Sequence, residues 1–431
     1  MSARIALVSE HASPLATLGG VDSGGQNVYV AQTARHLAAM GFHVDVFTRR
    51  DDEDLPAIVE WAPRLRVFNV RAGPAGFVRK ESLLPFMPQF AQAIATIART
   101  ARDKGEGYAL CHAHFFMSGL VARRLRDELG IPYVVTFHAL GKVRLLHQPH
   151  DEFPRQRQEI EQLVIDAAST VIAECPQDEL DLRKHYRTPP GRIRMIPCGF
   201  DPAELRPVER AAARARVGAA PTRPLILQLG RMVPRKGVET VIRALPLVQS
   251  RLATKPLLMI VGGESEEADP VRTPEIGRLM QVARDVGVAD DVVFTGRRPR
   301  SELRNYYHAA DVFVTTPWYE PFGITPVEAM ACGLPVIGSR VGGIQYSVED
   351  GRTGFLVEPR DHEGLARRLT QLFSDPAIRA HLGRLARRRA YELFTWQGVS
   401  ESLAELYAGV ALPRPVRVRR AEVRQPAHQG T

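Results

Sequence analysis

Short apolar runs rich in branched residues alternate with amphipathic helical stretches along almost the whole 431-residue chain, and the alternation starts twice. In the first series the sequence predicts strands at 4–9, 43–48, 66–70, 109–114, 133–138, 170–174 and 193–196. Helices are predicted at 25–40, 84–103, 118–129, 153–168 and 177–185. A connecting stretch with turn chemistry follows at 202–218. The second series places strands at 225–229, 257–261, 292–295, 312–315 and 335–339, with helices at 238–252, 273–286, 301–309, 324–332 and 343–349. Apolar strands separated by helices form parallel sheets covered on both faces. The expectation is an α/β chain of two Rossmann-like β/α/β domains facing each other across a cleft, divided as 1–200 and 201–390. A helical segment spans 361–410, and a C-terminal helix at 391–412 is expected to close against the first domain. A basic tail at 413–431 has no periodicity and reads as disordered.

Composition removes several classes. With 45% hydrophobic residues the chain buries enough surface to offset its ordering entropy. Its apolar runs, such as 256–263 and 312–316, are far shorter than the roughly 20 residues of a membrane helix. The start, MSARIALVSEHASP, turns polar after Val8, unlike a signal peptide. Cys111, Cys175, Cys198 and Cys332 are scattered without CxxC spacing, the usage of a reduced cytoplasmic protein without a zinc site. Net charge is +9, and the tail after Leu412 contributes five arginines against one glutamate. Such a balance admits nucleic acid, an acidic membrane or a phosphorylated ligand, and equally an arginine-rich surface.

Ligands of doubly wound sheets sit at the carboxyl ends of strands, and unusual residues are dense there. Between the first strand and helix stands Gly19-Gly20-Val21-Asp22-Ser23-Gly24-Gly25-Gln26-Asn27. Its glycines allow close backbone approach, and the following helix start offers N–H groups to an anion. It is not GxGxxG, and the second strand ends in Thr48-Arg49-Arg50 without the carboxylate of a dinucleotide site. His114 and His138 follow two further strands, with no carboxylate or cysteine at a spacing that would make them metal ligands. Gly230-Arg231-Met232-Val233-Pro234-Arg235-Lys236-Gly237 sets Arg231 and Lys236 where both can reach one anion. In Glu320-Pro321-Phe322-Gly323-Ile324-Thr325-Pro326-Val327-Glu328, two carboxylates flank a strand-to-helix turn. A buried Glu328 can accept both hydrogen bonds of a ribose diol, and Pro326 suits a helix start.

Together these residues resemble the retaining GT-B glycosyltransferases of family 4, which carry an E-x7-E element, here Glu320…Glu328 followed by Ala329-Met330-Ala331-Cys332-Gly333-Leu334-Pro335-Val336-Ile337. The resemblance covers about residues 4–410. The segment from Gly20 to Val30 is similar to the sucrose-phosphate synthase and sucrose synthase branch, and to the mycothiol-pathway enzymes that glycosylate inositol phosphate. The resemblance implies a nucleotide-sugar donor of UDP-glucose type, a small-molecule acceptor, and neither metal nor cofactor. Arg231 and Lys236 would grip the donor diphosphate, and Glu328 the ribose. Glu320, with the backbone of Phe322, Gly323, Ile324 and Thr325, would hold the transferred sugar, with His138 beside it. Gly24 and Gly25 would pack against diphosphate and acceptor. The base would lie near Gly263 and Arg297, held by backbone groups that leave its identity open.

Acceptor contacts are expected from Gln26, Asn27, His114, Lys80 and Arg157. Inositol-phosphate enzymes hold the acceptor phosphate with a Lys, an Arg, a Tyr and a Thr. Lys80 and Arg157 match, whereas Phe115 and Ala139 replace the other two. This favours an anionic acceptor such as a hexose phosphate over inositol phosphate. The alternative is that Lys80 and Arg157 are solvated charges on a loop and a helix. Other readings are a lipid-linked or polysaccharide acceptor at a membrane surface, drawing on Arg49, Arg50, Arg79, Lys80, Lys142 and Arg144, or an inactive sugar-nucleotide-binding protein. An NAD-type oxidoreductase is disfavoured by the missing fingerprint, and nucleic acid drops out as a partner. Oligomeric state is left open.

Overall fold

The computed structural model describes residues 3–16, 24–148 and 152–411. Two sheets organise them. The first runs β1 (Arg4–Val8), β2 (His43–Arg49), β3 (Ile58–Ala62), β4 (Leu65–Val70), β5 (Tyr108–His114), β6 (Tyr133–Thr136), β7 (Thr170–Ala173) and β8 (Ile193–Met195). Its spatial order is β3-β4-β2-β1-β5-β6-β7-β8. All pairs are parallel except β3 with β4. The second holds β9 (Leu225–Leu229), β10 (Leu257–Val261), β11 (Val292–Phe294), β12 (Val312–Thr315), β13 (Val336–Ser339) and β14 (Gly354–Val357), ordered β11-β10-β9-β12-β13-β14 and parallel throughout. Central strands such as β9, β10 and β12 are buried at every residue, as the absence of polar alternation in LILQL, LLMIV and VFVT demands.

Each sheet reverses its winding once, between β1 and β5 in the first and between β9 and β12 in the second. Those reversals open crevices at the strand carboxyl ends, where doubly wound folds bind ligands.

The structure departs from the sequence expectation in particular places. The single helical segment at 361–410 is three helices, His362–Ser374, Pro376–Leu393 and Trp396–Ala411. Asp375 accepts from the backbone of Ala377 and Ile378 and caps the second one. The connecting stretch at 202–218 contains a helix, Arg210–Arg216, started by the Glu209 side chain. β3, β14 and the helix Gly141–His147 were not expected. The glycines and Asp22 at 19–23, and the tail at 413–431, lie outside the described residues. No described helix is long and apolar enough to cross a membrane.

The chain passes between the two sheets twice, and the two passages are hydrogen-bonded to each other. Phe200 N–H donates to Phe394 O at 2.8 Å, and Trp396 N–H to Phe200 O at 3.0 Å. The helix Trp396–Ala411 then packs on the helix Gly25–Ala39, with the Trp396 ring edge-on to Tyr29 at 5.5 Å and the Tyr407 hydroxyl 2.6 Å from His112 Nδ1. Trp396 is fully buried. Trp396→Ala is expected to destabilise the protein by about 3–5 kcal/mol in chemical denaturation; a loss below about 1 kcal/mol would mean that this helix is not anchored through its first residue.

Candidate active site

The second-sheet crevice is built by two loops, one after β9 and one after β12. After β9 the chain turns through Gly230 into Arg231, and a short turn, Pro234–Lys236, ends at Gly237 with φ of 66°. A Cβ on Gly237 would overlap the Thr316 carbonyl oxygen, so only glycine lets this loop lie on the end of β12. Lys236 Nζ pairs with the Glu320 carboxylate, and Arg235 donates to Tyr319 O at 3.1 Å. Gly342, at φ of 43°, backs the other loop, where a Cβ would overlap the Glu320 carbonyl. Phe322 is buried, and Gly323 leads into the helix Ile324–Ala331, whose first N–H groups face the crevice end. Thr325 sits half-buried in its first turn.

Charge in this crevice is unbalanced. Burial would raise the Glu320 carboxyl, but Lys236, Arg235 and Arg231 outweigh it and hold it below the usual carboxylate range. The same burial pushes Lys236 down to about 8; Glu320 opposes the shift, and Arg235 and Arg231 add to it. Three cations therefore surround one carboxylate, the electrostatics of a receptor for a multiply charged anion.

The first sheet brings its glycines to this point. A Cβ on Gly24 would lie 3.6 Å from Arg231 Nε, and one on Gly25 would lie 3.7 Å from Ile324 Cδ1. Gly24, Gly25, Arg231, Lys236, Glu320 and Ile324 thus converge from distant parts of the sequence. Asn27 anchors the helix start, accepting from Gly24 N–H at 2.9 Å and donating to Ser13 O at 2.9 Å. Asn27 also lines a cavity between the sheets. Gln26 donates to Ser9 Oγ at 3.1 Å and lies 3.4 Å from His114 O.

Glu328 is buried one turn inside its helix. Its Oε2 accepts from the Tyr307 hydroxyl at 2.7 Å, and its Oε1 forms a 2.7 Å ion pair with Arg300 that lacks hydrogen-bond alignment. Arg300 also pairs with Glu204, which accepts from Gln32 on the first sheet's helix at 2.7 Å. Burial would lower the Arg300 guanidinium, but Glu328 and Glu204 overcome it and raise it. Arg300 and Arg297 border a cavity of about 320 Å³ between the sheets, with Asn27 and Gln32 opposite. Gly263 lies near Arg297, next to the bridge in which Gly262 N–H donates to Gly296 O at 2.9 Å.

On the first sheet, His138 follows β6 with φ of 56°, a strained conformation for a non-glycine residue. Its Nδ1 lies 2.9 Å from Glu174 Oε1 and its Nε2 3.1 Å from His114 Nδ1. Burial, then His112 and His138, keep His114 well below the usual histidine range, and burial takes His112 to about 3. His114 is fully buried behind His138 and supports that ring.

Arg157 is not a solvated helix charge. It is buried, bonds Glu161 at 2.9 Å and Ala139 O at 2.6 Å, and lies 4.9 Å over the Phe115 ring. The positions of Arg157, Phe115 and Ala139 therefore do assemble. Lys80 stands on the turn Lys80–Ser82, 3.2 Å from Glu81. The loop before it is held by buried Arg49, which donates to Ala72 O at 2.9 Å and Gly76 O at 2.8 Å. Arg49 is consequently no surface cation for a membrane, and Lys142 Nζ is likewise held by His185 O at 2.7 Å. Sequence reasoning missed Arg300, Glu174 and the pair of buried Glu10 with His11 (2.7 Å), whose ring meets Phe115 edge-on at 5.0 Å.

Two Rossmann-like domains with an anion receptor at one switch point and paired glycines opposite define a GT-B glycosyltransferase. Residues 209–389 match the family Glycosyl transferases group 1, and residues 24–199 match the Glycosyl transferase 4-like domain. The D-inositol 3-phosphate glycosyltransferase of Acidothermus cellulolyticus is 36% identical over 94% of this chain and 90% of its own. That of Nocardiopsis dassonvillei is 35% identical over 95% of both. Sucrose-phosphate synthase from Thermosynechococcus elongatus superimposes with a TM-score of 0.84 at 35% identity, over 94% of this chain and 98% of that one. Anabaena Alr3699/HepE, solved with UDP and glucose, shares the fold at a TM-score of 0.73 and 21% identity, over 94% of this chain and 100% of that one. The chain belongs to the group 1, GT4-like glycosyltransferases.

The Lys236 shift gives a pH dependence with a definite sign. The protonated amine attracts an anionic substrate and the neutral amine does not, so kcat/KM for such a substrate is expected to fall as pH rises through about 8, approaching tenfold per unit. Between about 8 and the ordinary lysine value near 10.4 the unfolded chain binds more protons, so in that window this group makes stability rise with pH. Lys236→Arg, which cannot deprotonate, should remove the alkaline fall in kcat/KM; its persistence would assign the titration elsewhere.

Proposed function

We propose that this glycosyltransferase is retaining and moves a hexose from a nucleotide sugar of UDP-glucose type to a hydroxyl of a small phosphorylated sugar or polyol. The observation that carries the reading is the placement of three cations and a helix start around Glu320, directly across from Gly24 and Gly25. In this reading Arg231 and Lys236 hold the donor diphosphate, and Glu328 takes the ribose diol in place of, or together with, Arg300. Glu320 and the backbone of Phe322, Gly323 and Ile324 hold the hexose. The bond from the anomeric carbon to the diphosphate oxygen breaks while the acceptor oxygen attacks on the same face, and the departing oxygen takes the acceptor proton. Charge arriving on the diphosphate meets Arg231 and Lys236, a stabilisation that grows toward the transition state. Trapping a glycosyl-enzyme intermediate would overturn the same-face step.

A phosphorylated acceptor is supported by two relatives whose names denote phosphorylated small molecules, D-inositol 3-phosphate and sucrose phosphate. It is also supported by buried Arg157 beside Phe115 and Ala139. Phe115 removes a hydroxyl from that pocket, which favours a hexose phosphate over inositol phosphate. Turnover of UDP-glucose should be at least about tenfold faster with fructose 6-phosphate than with fructose, and Lys80→Ala should erase most of the difference, as loss of a charge-assisted contact of about 1.5–3 kcal/mol would. Equal rates that Lys80→Ala leaves unchanged would sink the phosphate pocket.

A further inference from the structure

Glu174, at the end of β7, has no part in the donor or acceptor contacts above, yet its carboxylate is buried in the first-sheet crevice. It accepts from His138 Nδ1 at 2.9 Å and from the Cys198 thiol at 3.1 Å. Among the described residues no lysine or arginine pairs with it. Around it stand the Cys198 thiol and the Asp178 carboxyl, both raised by burial and then by Glu174, and His112 and His114, both lowered by burial first. A carboxylate in such a place is costly unless positive charge forms nearby.

Two features locate that charge. The next residue, Cys175, donates from Sγ to Pro321 O at 3.4 Å, so the end of β7 abuts the loop that carries Glu320. His138 itself is held in a left-handed turn, a conformation that persists only where its surroundings over-determine it. The hold is two-sided. With Nδ1 facing a carboxylate oxygen, that nitrogen bears a proton. With Nε2 at 3.1 Å from His114 Nδ1, and the two rings within 17° of parallel, His138 Nε2 accepts from His114 Nδ1–H. Glu174 thus sets the tautomers of two histidines in series.

We propose that Glu174 is a positioning residue for sugar transfer. Its carboxylate fixes the His138 ring against the transferred sugar and provides, on the first-sheet side of the crevice, negative charge opposite the three cations of the second. As the donor bond breaks, negative charge moves toward Arg231 and Lys236 while the sugar carbon becomes electron-poor. The His138–Glu174 dyad then lies on the side where positive charge grows. The inference rests on the cleft being the sugar-transfer site proposed above.

Glu174→Gln keeps a hydrogen-bond acceptor for His138 and removes the charge. It should lower kcat between about 10- and 100-fold while both KM values stay within about twofold. Glu174→Asp, which restores the charge, should recover part of kcat, and Glu174→Gln combined with His138→Ala should be no slower than His138→Ala alone. A kcat for Glu174→Gln within about twofold of wild type, or losses that multiply in the double variant, would overturn the inference. A readout independent of turnover separates its failure from that of the proposed reaction. In 15N-histidine NMR of the full chain, His138 should carry its proton on Nδ1, and Glu174→Leu should shift that proton toward Nε2. An unchanged His138 tautomer in Glu174→Leu overturns the clamp even if no nucleotide sugar is turned over. Nucleotide release by wild type from none of UDP-, GDP- or ADP-sugars would instead count against the reaction alone.

Discussion

Parallel strands followed by helices send every helix start toward the same edge of a sheet, and both sheets here turn that edge toward one crevice. Unpaired N–H groups and the positive ends of helix dipoles therefore converge on it before any side chain is counted. Arg231, Arg235 and Lys236 add to a field that is already positive, and Glu320 only partly offsets them. Two positive edges brought face to face repel unless an anion lies between them. The approach of Gly24 to Arg231 is thus the geometry of a site whose closed form an anion completes.

Much of this was legible in the sequence, and the legible parts share a physical cause. β9, β10 and β12 are runs in which every residue is buried, so their limits follow from polarity alone. The second-sheet side of the crevice is written in two local motifs, because Gly230–Gly237 and Glu320–Glu328 each gather their charged and glycine positions within nine residues. β3 was missed because it is an edge strand, alternating with Glu60 and open to solvent on one side. β14 begins on Gly354, a residue that marks breaks more often than strands. The three closing helices merged into one because apolar periodicity continues across the caps at Asp375 and Thr395.

Residues whose meaning lies in distant partners were not legible. Glu174 meets His138 across 36 positions, and Glu204, which Arg300 bonds, is 96 positions from it. Buried Glu10 meets Ser118 across 108. A lone carboxylate in VIAEC or the third arginine of RRPRS carries no local sign of what it will face. The same is true of Arg157, which sequence alone leaves as a surface charge or a pocket cation. Only the packing of Phe115, Phe116 and Phe153 around its guanidinium separates those readings.

The two passages between the sheets are joined by the hydrogen bonds of Phe200 with Phe394 and Trp396, and Gly199 lies against the same backbone, where a Cβ would come within 2.8 Å of Phe394 O. Two separate tethers would let the domains twist and slide as well as open. Two tethers zipped together, beside the helix packing on Gly25–Ala39, pin the halves at one side and hold Gly24 opposite Arg231 and Gly25 opposite Ile324 in a single alignment.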